Sequence, residues 1–233
     1  MVQFSQQLQS VQPLNIFHNI NISSVRSQFE PNSEPHTGRT ACPALFTGGN
    51  TMASTNGVDV DQLTEAIDVM SDDPEIGQFT FYAETEWTDA LKCVTSIDEF
   101  DQAGERIRTR EFHIEGDEPE QILGERSAPN AVELLLAALG SCLNVGYAAN
   151  AAAMGIELEA LRFEMEGDLD LRGFLGISED TRPGYDSVTC TTYIEADASE
   201  AELAELRERV ESTSPLVDNI SNEVSLETEL VVT

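Results

Sequence analysis

Residues 129–155 read PNAVELLLAALGSCLNVGYAANAAAMG, and from Leu134 to Met154 they run for 21 positions without a charged side chain. The whole chain carries a formal charge of −31, so a chargeless stretch of this length belongs in the interior. Asn130 is a good N-cap, Glu133 stands three residues on as the reciprocal member of a capping box, and Gly155 suits a left-handed residue beyond the C-terminus. A helix is therefore predicted here. Its apolar residues run all the way round rather than along one stripe, which predicts a helix covered on every side. Cys142 lies near its middle.

A run of about 20 apolar residues is also long enough to span a bilayer. The composition argues against that use. The run is rich in Ala and Gly, includes Ser141, Asn144 and Asn150, and is flanked by Glu133 and Glu157 with no basic residue to set an orientation. Small residues favour close packing against another helix or a sheet in a soluble protein, and no membrane partner is expected.

At 233 residues and 25.5 kDa the chain can bury a full core as one domain with some extra sequence. Its charge is unevenly placed. Residues 1–51 hold Glu30 and Glu34 against Arg26 and Arg39, so the other 41 of 43 acids and 10 of 12 bases belong to residues 52–233. Such a surface repels nucleic acid and anionic lipid, whose binding rests on Lys and Arg neutralising phosphates. Lys92 is the only lysine beside eleven arginines. Acid-rich, lysine-poor globular sequence resembles that of halophiles, whose cytoplasm holds molar salt; there the screening length falls to about 3 Å and self-repulsion is damped.

Cys42, Cys93, Cys142 and Cys190 are widely scattered without a CxxC pair, and His18, His36 and His113 are equally dispersed. Neither a metal site nor a disulfide framework is expected, and no cofactor. The N-terminus lacks a basic region followed by an apolar run, so a cytoplasmic protein is expected. Residues 1–51 are rich in Gln, Asn and Ser, show no period and lack the acidity of the remainder. They read as a disordered extension, or as the result of a start placed too early with Met52 as the true first residue. Residues 52–233 then form the domain.

Along the chain, Val60, Leu63, Ile67 and Met70 predict an amphipathic helix over about 59–71, ending at Asp72-Asp73-Pro74. Phe79, Phe81, Ala83, Thr85 and Trp87 alternate as a strand. So do residues 105–114, ERIRTREFHI, with Arg106, Arg108 and Arg110 on one face. These arginines either pair with acids across a sheet or bring a guanidinium to a thiolate. After the central helix, Leu161, Phe163, Met165, Leu169 and Leu171 predict a long strand, and RPGY at 182–185 a turn. Val188, Cys190, Thr192 and Ile194 share a face of the next strand, where Cys190 reads as a small buried hydrophobe. Ser199 and Glu202 form a second capping box, opening a helix that stops before Ser214-Pro215. Val224, Leu226, Leu230 and Val232 predict a final strand. The order is that of an α+β fold in which antiparallel sheet wraps two helices.

PNAVELLLAALGSC, MGIELEALRFEMEGDLDLRGFLG, RPGY and TSPLVDNI, in that order, resemble the OsmC/Ohr family over about residues 56–232. The resemblance implies an OsmC-like fold: antiparallel sheets wrapped around two central helices in an intertwined homodimer, with active sites between subunits. It further implies reduction of organic hydroperoxides by one cysteine on the buried helix and a second near the end of the later helix. Cys142 matches the first; Ser214 stands in place of the second. A sulfenic acid on Cys142 would then lack that partner for a disulfide and would need an external thiol reductant. The Pro-Glu pair common about ten residues before the family's cysteine is Ala131-Val132 here. Glu133, one residue late and turned by about 100° on a helix, reads as a cap or as a catalytic acid. Arg106, Arg108 and Arg110 are the counterparts for a catalytic arginine, with Arg110 included in the candidate site beside Cys142 and Glu133.

Only a thiolate attacks a peroxide oxygen, and apolar surroundings oppose that charge unless a cation is close. Two functions remain open on this reading. One is a one-cysteine thiol peroxidase acting on organic hydroperoxides. The other is a non-catalytic protein that holds a small hydrophobic ligand at a dimer interface, with Cys142 merely packed.

Overall fold

The computed structural model describes residues 54–233. The expectation for residues 1–51, with Cys42, His18 and His36, lies outside them. Helix α1 (Val60–Asp72) is capped by Asp59, whose carboxylate accepts from the Gln62 N–H at 3.0 Å. It stops because Asp73 precedes a proline and turns extended.

Where the alternation predicts one strand, two form: β1 (Phe79–Phe81) and β2 (Glu84–Asp89), interrupted at Tyr82 and Ala83. Both run antiparallel along one edge of a long strand, β3 (Lys92–Gln102), and β4 (Glu105–Gly116) pairs along its other edge. Strand β3 has no signature of period two in its sequence. Its Val94, Ile97 and Phe100 recur every third residue, and the register with β4 breaks between Ile97 and Glu99. A bulge of this kind shifts which side chains share a face.

The central segment forms α2 (Ala131–Ala153) with the expected capping box, Asn130 Oδ1 accepting from the Glu133 N–H and Glu133 Oε2 from the Asn130 N–H. Beyond the C-cap Met154, Gly155 takes φ +72°, a conformation that costs glycine little. Strand β5 (Leu158–Asp168) ends before the predicted Leu171, because Asp170 caps a short helix α3 (Leu171–Phe174) through the Arg172 N–H. Strand β6 (Ser187–Ala196) pairs antiparallel with β5. Helix α4 (Glu200–Thr213) begins at the Ser199–Glu202 capping box. It is followed at once by α5 (Pro215–Ser221), which no apolar period announces and which Ser214 caps.

The predicted strand from Val224 to Val232 is not formed. Residues 223–233 hold no regular element, and Val224, Leu226, Leu230 and Val232 are all exposed. Alternation supplies an apolar face, but a strand also needs a ladder partner.

Leu139, Leu143, Tyr147 and Ala151, at successive helical turns of α2, meet Ile156, Leu206 and Val210 in the core. Helix α2 rests on β5, α4 and α5, whereas the four-stranded sheet makes no comparable packing on these helices among the described residues. Among the described residues, coverage on every side is therefore not reached. Another face of α2, with Leu135, Ala138 and Val145, is open, and Val145 is 65% exposed. The fold is α+β with antiparallel sheets. Among the described strands only the β5–β6 ribbon lies on the helix pair.

Candidate thiol site

Helices α2 and α4 run antiparallel, because two contacts along their seam climb in opposite directions. Gly146 meets Val210, and one turn earlier on α2 Cys142 meets Ser214, one turn later. The Cys142 sulfur lies 3.2 Å from Ser214 Oγ. Ser214 is 6% exposed and accepts the Val217 N–H at 3.3 Å as the cap of α5. Cys142 itself is half-buried, at the border between the packed and open faces of α2. The pairing of residues 142 and 214 expected from the family resemblance is thus a contact in the fold.

Glu133 does not reach this sulfur along the helix: nine residues separate them, about 13 Å of rise. Its carboxylate is taken up at the start of α2 by the Asn130 N–H and by both terminal nitrogens of Arg126, at 2.5 and 2.6 Å. The Arg126 guanidinium, and after it the Asn130 N–H, hold the Glu133 carboxyl below the usual carboxylate range. Arg126 is a residue that sequence reasoning missed. Its pairing depends on the loop between β4 and α2, which has no period to read.

That loop is organised by Asp117, also missed. Asp117 is 2% exposed, and its carboxylate accepts from the N–H groups of Glu118, Glu125 and Ser127 and from the Ser127 hydroxyl. These donors, the Ser127 N–H foremost, lower its pKa to about 2. Tyr185 of RPGY closes the other side by donating to the Val132 carbonyl at 2.9 Å.

Among the three arginines of β4, two pair with acids across the sheet. Arg106 faces Asp101 and bonds to it and to Glu99, while Arg108 faces Glu99 at 3.6 Å. Arg110 falls in the register break, where its guanidinium lies 4.6 Å from the ring centre of Phe112 and forms no ion pair among the described residues. The structure gives none of the three a contact with Cys142 in the same chain.

Cys190 is exposed rather than buried as predicted. It stands in the wall of an open groove of about 430 Å³ with Leu139, Leu143, Tyr147, Val217 and Ile220. Partial burial still pushes its thiol pKa up. Among the described residues no three His, Cys, Asp or Glu side chains are placed to hold a metal ion.

Fold and site define a class: an α+β protein of antiparallel sheets that carries a half-buried cysteine on a capped central helix. Residues 124–229 match the family model of OsmC-like proteins, so the chain carries an OsmC-like domain there. Similar solved structures include an OsmC-like protein from Mycoplasma pneumoniae, 16% identical, with TM-score 0.49 over 61% of this chain and 87% of that one. An organic hydroperoxide resistance protein OsmC from Legionella pneumophila is 15% identical, with TM-score 0.39 over 59% of this chain and 86% of that one. An OsmC-like hydroperoxide resistance protein from Jannaschia sp. is 15% identical, with TM-score 0.37 over 66% and 92%. A comparison with curated proteins finds no match. Helix α2 is long and apolar enough to cross a membrane, yet its Leu139–Ala151 stripe is packed against protein, as in the core of a soluble domain.

Proposed function

We propose that this chain is a one-cysteine thiol peroxidase that reduces organic hydroperoxides through Cys142. The observation that carries the reading is the seat of Cys142 in an OsmC-like domain: a half-buried sulfur 3.2 Å from a hydroxyl, beside the open face of the helix. The Cys142 thiolate attacks the terminal peroxide oxygen, the O–O bond breaks, and the alkoxide takes a proton and leaves as an alcohol. Cys142 is then a sulfenic acid. One external thiol condenses with it and releases water; a second attacks the mixed disulfide, regenerates Cys142 and leaves as the external disulfide.

The working form is a homodimer. This is supported by the open face of α2 and by the sheet's own unmet apolar side, where Phe79, Phe81 and Phe100 stack and Phe81 and Trp87 are 76% and 74% exposed. A second copy laying its sheet on α2 brings an arginine of its β4 to the sulfur; Arg110, which has no acidic partner among the described residues, is the one suited to serve. Glu133 contributes through the start of α2. Residues 52–233 form the working domain, and the acidic surface suits a cytoplasm of molar salt. The test is stopped-flow oxidation with tert-butyl hydroperoxide. Wild type oxidises Cys142 far faster than free cysteine and turns over with dithiothreitol, while Cys142→Ser does neither; a rate equal to that of free cysteine would sink the proposal.

The groove favours a second reading, a binder of small hydrophobic ligands. Leu139, Leu143, Val188, Val217 and Ile220 line it, and Cys142 does not. This reading expects a bound apolar molecule in native mass spectra of both wild type and Cys142→Ser.

A further inference from the structure

Ser214 has two tasks at one oxygen. A hydroxyl offers one donor hydrogen and two acceptor lone pairs. The Val217 N–H uses a lone pair of Ser214 Oγ, and the other partner of that oxygen is the Cys142 sulfur. The backbone at 214 is fixed by its place between the end of α4 and the first turn of α5, and the side chain is buried against the seam. Among the described residues the Cys142 sulfur is the one acceptor within reach of this hydroxyl's hydrogen.

We propose that Ser214 is the positioning residue of Cys142: its O–H donates to the sulfur, holds it toward the α4–α5 junction, and leaves the oxidised sulfur beside a hydrogen-bond donor instead of a second thiol. This deepens the peroxidase reading and rests on it only for the oxidised state. The hydrogen bond fixes the direction in which the sulfur is presented for attack. After oxidation the same hydroxyl hydrogen-bonds the sulfenic oxygen or sulfur but forms no covalent bond to it, so the sulfenic acid persists until an external thiol condenses with it and releases water.

The experiment uses the full chain with Ser214→Gly, Ser214→Thr and Ser214→Cys. Glycine retains most of the capping, since it ranks close to serine at a helix N-cap, but it removes the hydroxyl. Alkylation of Cys142 by iodoacetamide at pH 7 should slow about tenfold in Ser214→Gly, the scale of a lost donor to an anionic acceptor, and recover in Ser214→Thr. Equal rates in wild type and Ser214→Gly, with unchanged melting, would overturn the proposal. Ser214→Cys tests the distance without relying on hydroperoxide. Diamide should join Cys142 to the introduced thiol, with loss of two hydrogens seen in peptide mass mapping, and absence of this disulfide also overturns it. Dimedone should trap a sulfenic acid on Cys142 of wild type after tert-butyl hydroperoxide, and far less in Ser214→Cys. If diamide forms the disulfide and alkylation slows as expected, but the hydroperoxide leaves Cys142 untouched, the positioning role stands and the peroxidase reading falls.

Discussion

Gly146 of α2 lies so close to Val210 of α4 that a Cβ built on the glycine would fall 2.9 Å from Val210 Cγ1. This contact sets the approach of the two helices, and the Cys142–Ser214 contact one turn away depends on it. Gly146→Ala should destabilise by about 1–3 kcal/mol, the usual cost of overpacking a close seam. Adding Val210→Ala should return part of that loss in a double-mutant cycle read by urea denaturation. Strict additivity of the two changes would contradict the contact.

Tyr185 reaches from the loop before β6 to the Val132 carbonyl in the first turn of α2. Tyr185→Phe should cost about 1 kcal/mol, the net value of one such hydrogen bond. Tyr82→Phe, which loses an exposed bond to Asp101, should cost less. Thermal melts of the two variants side by side decide the order.

Asp117 makes the fold sensitive to acid. Its pKa is lowered to about 2, so the stability it contributes is present above the ordinary carboxylate pKa of about 3.9 and is lost as pH falls toward 2. Asp117→Asn should melt several degrees below wild type at pH 7. The gap should close between about pH 4 and pH 2, and a gap constant across that range would show that the charge is not what holds the loop.

Val145, on the open face of α2, is 65% exposed and lies outside the core formed by the described residues. A charge there should break the proposed homodimer without unfolding the chain. Sedimentation should give a dimer for wild type and a monomer for Val145→Glu, with the helical signal retained; an unaltered dimer would place the interface elsewhere.

The acidic surface carries its own prediction. With 43 acids against 12 bases, the folded chain repels itself more strongly than the unfolded one, and salt screens that difference. The melting midpoint should rise between dilute buffer and molar KCl. Equal midpoints would remove the high-salt reading.

The capped helices were legible because their signals are local. Asn130 with Glu133, and Ser199 with Glu202, announce helix starts within four residues, and both capping boxes form. Strands were less legible where pairing bends them. The register break at Ile97/Glu99 hides β3, and Tyr82 and Ala83 divide an alternation that reads as continuous. At the site, Cys142 was singled out by the family resemblance, on a helix that its chargeless composition had already marked. Arg126 was not, because nothing in the loop sequence tells which guanidinium will turn back on Glu133.

By itself, then, the sequence determined the central helix, its ends and the sulfur upon it, since caps and hydropathy act over a few residues. It also set the acidic surface, which is a matter of composition. Only the tertiary structure decided that Ser214, 72 residues away, touches Cys142, that one face of α2 stays open among the described residues, and that Cys190 stands in an open groove. Those relations follow from how distant helices and strands cross, and crossing is fixed by packing between segments rather than by the residues of any one of them.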